Sequence, residues 1–107
     1  MPDQNRILAL EAMLAEDPSD PFCRYALALE YAGLESGSQR SIDLLQGLVA
    51  DTPVYLPAYY QLGKLLGDAN RKSEAMLVIQ AGIQLARSTG EKHALAELNF
   101  LAEDYAD

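Results

Sequence analysis

Tryptophan is absent, phenylalanine occurs twice, and there is one cysteine and one histidine in 107 residues. The lone Cys23 excludes an intramolecular disulfide and a multi-cysteine metal site, and it fits a reducing, cytoplasmic setting. With His93 as the sole imidazole there is no His-x3-His pair, so the sequence implies no metal and no other cofactor. Basic residues are scarce as well: eight against sixteen acidic ones, a formal net charge of -8. Residues 1–53 hold three basic and nine acidic groups, so the imbalance lies mainly in the first half. Such a chain repels phosphate, which argues against nucleic acid and against membrane surfaces as partners. No uncharged apolar run approaches the roughly 18 residues of a membrane span, and Met1-Pro2-Asp3-Gln4-Asn5-Arg6 lacks the build of a secretory signal.

Catalytic patterns are missing too. Gly33, Gly37 and Gly67 punctuate helix ends, and no run matches a phosphate-binding loop. Ser36, Ser38, Ser41, Ser73 and Ser88 fall at loops and helix starts, where capping of backbone amides is expected, and none sits in a nucleophile elbow. Cys23 has no cationic neighbour beyond Arg24 to make a thiolate. The pairs Glu16-Asp17 and Glu103-Asp104 read as solvated faces, and His93 as a cap or surface residue. The expectation is a protein that is not an enzyme.

Alanine and leucine supply much of the apolar half of the composition, and both favour helices. Ile7, Leu10 and Leu14 recur at three and four residues, with Leu8 and Met13 widening the stripe, and Asp17-Pro18-Ser19-Asp20-Pro21 stops that helix. Asp20 is placed to cap a second helix, with Pro21 in its first turn, running to about Leu34. Ile42, Leu45, Leu48 and Val49 mark a third helix, ending before Thr52-Pro53. Pro57 begins a fourth, which Gly67-Asp68-Ala69-Asn70 breaks. A fifth runs from about Arg71 to Arg87, and Ala94, Leu98, Leu101 and Tyr105 define a sixth. Helices joined by short loops pair antiparallel, so the reading is all-α.

The chain repeats itself. Tyr25-Ala26-Leu27-Ala28 overlays Tyr60-Gln61-Leu62-Gly63, and Ser41 and Leu45 overlay Ala75 and Ile79. A period near 34 residues made of two helices resembles the tetratricopeptide repeat. One repeat reads Arg24-x2-Leu27-Ala28-x2-Tyr31, then Ser41-x3-Leu45 and Pro53; the other reads Tyr59-x2-Leu62-Gly63-x2-Leu66, then Ala75-x3-Ile79. Arg24 stands where an aromatic is usual, Leu66 where a tyrosine is usual, and Arg87 where a proline closes the repeat. Small residues at Ala28, Ser41, Gly63 and Ala75 suit the close crossing of paired helices.

The resemblance implies a right-handed α-solenoid of antiparallel helix hairpins, with about two repeats plus flanking capping helices. As one domain over residues 1–107, it divides into an N-terminal helix (3–17), repeat one (20–53), repeat two (55–88) and a C-terminal capping helix (91–105). It also implies a protein-protein interaction module that takes a peptide or partner helix in its concave groove. On the first helices, Phe22, Tyr25 and Leu29 share one face, and Tyr60 and Lys64 occupy the matching face one repeat on. Lys64 is the lone cation in that set, too few for a clamp on chaperone tail carboxylates. The alternative is a self-associating structural module, a homo-oligomer whose groove is filled by its own C-terminal helix.

Overall fold

A computed structural model describes residues 3–106, which form six α-helices. They divide into two compact units, the first ending at Pro53 and the second beginning at Val54.

The first unit contains α1 (Gln4–Glu16), α2 (Pro21–Ala32) and α3 (Ser38–Asp51), with α2 packed against both neighbours. The starts of α1 and α2 are set by carboxylates. Asp3 accepts from the amides of Asn5 and Arg6, and Asp20 from those of Phe22 and Cys23, with Pro21 in the first turn. The expected serine caps are not formed. α3 starts at Gly37 without a side-chain cap, and the Ser41 hydroxyl instead donates 2.7 Å to the Ala28 carbonyl inside the α2–α3 crossing. Aspartate accepts without needing to rotate a proton into place, and the starts of α3 and α5 are left uncapped by side chains. Gly37 lies against the Tyr31 carbonyl, where a Cβ would collide, so the turn requires glycine for close approach.

Ile7 and Leu10 of α1 join Cys23, Ala26, Leu27 and Tyr31 of α2 in one apolar cluster, edged by Leu14, Leu34 and Leu44. Leu8 and Met13 were expected to widen the buried stripe of α1, yet they are 62% and 50% exposed. The reason is geometric: α1 rests chiefly on α2, and one helix neighbour covers only one side.

The second unit contains α4 (Pro57–Asp68), α5 (Lys72–Thr89) and α6 (Lys92–Tyr105). α5 packs on α4 and on α6, and α6 also touches α4. α4 and α5 end alike. Asn70 (φ 64°) and Gly90 (φ 72°) take the left-handed conformation, and in each case the next amide reaches back to the carbonyl five residues earlier, Arg71 to Leu66 at 2.8 Å and Glu91 to Ala86 at 2.9 Å. This double-bonded ending needs a residue that tolerates positive φ, and asparagine and glycine are the ones that do. Gly67, expected to break α4, lies inside it; its role is to let the ring of Tyr105 approach the backbone. Gly63 likewise faces Ile79, and a Cβ there would stand 2.6 Å from Ile79 Cγ1. Leu62, Leu66, Ala75, Ile79, Leu98 and Leu101 are buried around these contacts.

Candidate partner-binding surfaces

On α2, residues of the first turn and their partners one turn on share a side of the helix. Phe22, Tyr25 and Leu29 form a row there, with Phe22 62% and Leu29 39% exposed and Tyr25 half-buried between them. α2 turns its opposite side, Cys23, Ala26, Leu27 and Tyr31, into the core. On α4, Tyr60 is half-buried and Lys64 exposed. The Tyr105 hydroxyl of α6 reaches the same stretch, 3.3 Å from the Lys64 carbonyl and 3.1 Å from the Asp68 carboxylate. The phenol of Tyr105 is pushed up to about 12 by burial first, then by the bond to Asp68 and its charge. α6 therefore already occupies part of α4, whereas Phe22 and Leu29 on α2 are exposed.

Polar groups in the first unit form two clusters that the residue spacing does not announce. Arg24, in the position where an aromatic is usual, bonds to Asp51 at 2.9 Å, with its guanidinium against Gly47. The absence of a side chain at Gly47 provides the recess for it. Arg40 lies over the ring of Tyr31 at 4.0 Å, donates 2.8 Å to its hydroxyl, and pairs with Glu11 at 3.4 Å; the Tyr31 hydroxyl in turn donates to Glu11. Burial, followed by that carboxylate, raises the Tyr31 phenol above its ordinary value. Leu14, Leu27 and Leu44 with Arg24, Tyr31, Arg40 and Asp43 line an open hollow of about 360 Å³ over α2. Both guanidiniums there are matched by carboxylates, so the hollow is a braced surface rather than an anion site.

Cys23 is buried, its Sγ donating 3.3 Å to the Leu10 carbonyl, and burial, then the charges of Asp20 and Asp17, raise its thiol pKa. His93 is exposed and pairs with Glu97 one turn on. Among the described residues no cluster of three or more His, Cys, Asp or Glu could hold a metal ion, and no helix is long and apolar enough to cross a membrane. Large apolar side chains in water are Leu8, Met13, Phe22, Leu29, Val54, Leu77 and Phe100, and of these Leu8 and Met13 are the two that helical periodicity puts on a buried stripe.

No family model and no curated protein matches the sequence. Solved structures do. The chain is similar to the solution structure of a tetratricopeptide repeat domain protein from Salinibacter ruber, at 37% identity and a TM-score of 0.77, over 83% of this chain and 89% of that one. A crystal structure of a tetratricopeptide repeat domain protein from the same organism gives 36% identity and a TM-score of 0.75, over 80% and 96%. The solution structure of a protein from Bordetella parapertussis gives 25% identity and a TM-score of 0.78, over 92% and 85%. Paired helices on a period near 34 residues, small residues at their crossings and this likeness across nearly all of a relative place the chain in the tetratricopeptide-repeat family.

Proposed function

We propose that the chain is a non-catalytic protein-protein interaction module, holding a peptide or a partner helix on the first-helix faces of its repeats. The contact residues are Phe22, Tyr25 and Leu29 on α2, with Tyr60 and Lys64 on α4; in this family those faces look into the concave groove. The observation that carries the reading is the exposure of Phe22 and Leu29 on α2, to either side of the half-buried Tyr25. Fully burying a Phe or Leu side chain is worth about 1.5–3 kcal/mol, and at Phe22 most of that gain is unrealised in the free chain. Tyrosine between them adds contact area at small entropic cost, which is why it recurs at binding hot spots. Lys64 supplies a cation for a partner carboxylate.

A second reading, a self-associating module whose groove is filled by its own C-terminal helix, draws support from Tyr105 on the Lys64–Asp68 stretch of α4. The two part on a capture experiment. The immobilised chain is compared with Phe22→Ser, Tyr25→Ala, Tyr60→Ala and Lys64→Glu, each first checked for parent-like helicity. Loss of the same captured proteins with Phe22→Ser and Tyr25→Ala supports the open face of α2. Equal capture by all four folded variants overturns it.

A further inference from the structure

The row Phe22, Tyr25 and Leu29 on α2 stands between carboxylates. At its Phe22 end Asp20 accepts from the amides of Phe22 and Cys23, and the Asp20 amide donates to the Asp17 carbonyl, which holds the two acidic residues together at the start of the helix. The charges of both reach Cys23 and add to the effect of burial on its thiol. At the other end Glu30 follows Leu29, and its carboxylate accepts 3.2 Å from the amide of Asp3, which brings a second acidic residue there. Cations do not balance this set. Of the three in residues 1–53, Arg24 pairs with Asp51 and Arg40 with Glu11, which leaves Arg6, whose own amide bonds to the Asp3 carboxylate. With Glu11 and Asp51 so matched, seven of the nine acidic residues remain. The first amides of α2, which would otherwise draw an anion, are already capped by Asp20.

Resting on the reading of α2 as the binding face, we infer that the partner segment lying on α2 is a basic amphipathic helix. Its apolar side chains, at steps of three and four residues, meet Phe22, Tyr25 and Leu29, and a Lys or Arg stands beyond them at each end. Charge complementarity selects this chemistry. An acidic segment would set its carboxylates against Asp17 and Asp20 at one end and Asp3 and Glu30 at the other, and like charges facing each other across an interface weaken it. Asp20 and Glu30 are ten residues apart, about 15 Å along the helix, so the partner carries its two cations nearly three turns apart. Because both ends of the row are acidic, the helix fits in either chain direction. At low salt a span of about 15 Å lies within the screening length, so the two ends draw an approaching cation together. Only the stretch of the partner on α2 is constrained in this way; the carboxylate that meets Lys64 belongs to the stretch on α4.

The test is fluorescence anisotropy with three labelled synthetic peptides that share one helical pattern, leucines at steps of three and four on an alanine-rich background. They differ only in their first and last turns, which carry lysine, glutamine or glutamate. The lysine peptide is expected to bind with a Kd on the order of 50 μM at about 20 mM salt, the glutamine peptide about tenfold more weakly, and the glutamate peptide more weakly again. At about 500 mM salt, where the screening length is about 4 Å, the lysine and glutamine peptides should come within about twofold of each other. Asp20→Asn combined with Glu30→Gln keeps a capping side chain while removing two charges; it should weaken the lysine peptide about fivefold and leave the glutamine peptide unchanged. Phe22→Ser should weaken both by about the same factor. A glutamine or glutamate peptide that binds as tightly as the lysine peptide, and loses affinity with Phe22→Ser, overturns the basic helix and leaves α2 standing as the binding face. Lysine-peptide binding that ignores Phe22→Ser in folded protein overturns both. No binding of the lysine peptide at about 1 mM, or full affinity for the Asp20→Asn, Glu30→Gln protein, overturns the inference.

Discussion

Gly63 of α4 lies against Ile79 of α5, and its replacement by alanine pits two known effects against each other. In a helix interior alanine is favoured over glycine by about 0.5–1 kcal/mol, because the glycine backbone loses more freedom on folding. Against that, the new Cβ would stand 2.6 Å from Ile79 Cγ1 and 3.2 Å from its Cδ1, with Leu101 Cδ2 at 3.7 Å. Ile79 is wholly buried and β-branched, so it has little room to turn away, and overpacking of this kind costs about 1–3 kcal/mol. The net expectation for Gly63→Ala is a loss of about 1–2 kcal/mol, read from urea midpoints, or roughly 4–12 °C in Tm for a chain of this size. Gly63→Leu should lose more. Gly47→Ala is the control: its Cβ would meet only Arg24 Nη2, at 3.2 Å, the far end of a flexible side chain, so helix propensity should win by about 0.5 kcal/mol. A double-mutant cycle with Ile79→Ala, itself worth about 2–5 kcal/mol, should show Gly63→Ala costing less once the isoleucine is gone. If Gly63→Ala proved as stable as the parent, or Gly47→Ala as damaging as Gly63→Ala, the account of the crossing would be wrong.

Other expectations follow from single groups. Tyr105 ionises near 10 in the unfolded chain and near 12 when folded, so its contribution to stability is whole below about pH 10 and drains away as pH rises from 10 to 12. Tyr105→Phe should flatten that part of a urea-midpoint profile; an unchanged alkaline slope would contradict the raised phenol and with it the packing of Tyr105 on α4. Cys23→Ser keeps a donor for the Leu10 carbonyl and should leave partner binding intact, and the parent thiol should resist alkylation while folded. Rapid labelling of native protein would count against its burial. Asp20→Ala removes the acceptor for two amides at the start of α2 and should cost about 1 kcal/mol in thermal or urea melts, with Asp20→Asn recovering most of it.

Where α1 stops and α2 starts could be read from local chemistry, and so could the small residues at the crossings. Proline cannot supply an amide, a preceding residue avoids the helical region, and Asp20 offers its carboxylate next to Pro21, all of which act over a few residues. Other features were hidden because they depend on partners distant in the chain. Arg24 reads as a defect in the repeat until Asp51, 27 residues on, and the bare Gly47 are seen beside it. Tyr105 finds its acceptor 37 residues back. Leu8 and Met13 read as part of the buried stripe because a helix with nearly every position apolar has no sharp stripe, and only packing decides which side is wet. Serines at loop and helix-start positions suggest caps that do not form, whereas the cap suggested at Asp20 does, and Asp3 adds a second. The row Phe22, Tyr25 and Leu29 was legible from spacing alone, since three- and four-residue steps keep one side of a helix in any surroundings.

The ring of Tyr105 against Gly67 reverses the usual pattern of fraying. Free helix ends open first, and α6 begins at Glu91 with no side chain holding its first amides. Its final turn, by contrast, is clamped by a half-buried aromatic ring against Gly67 and a hydroxyl bonded to Lys64 and Asp68. Local opening of α6 therefore proceeds from its start toward its end, and the amides around Ala102 to Tyr105 are expected to hold their protons longer than those just after Gly90.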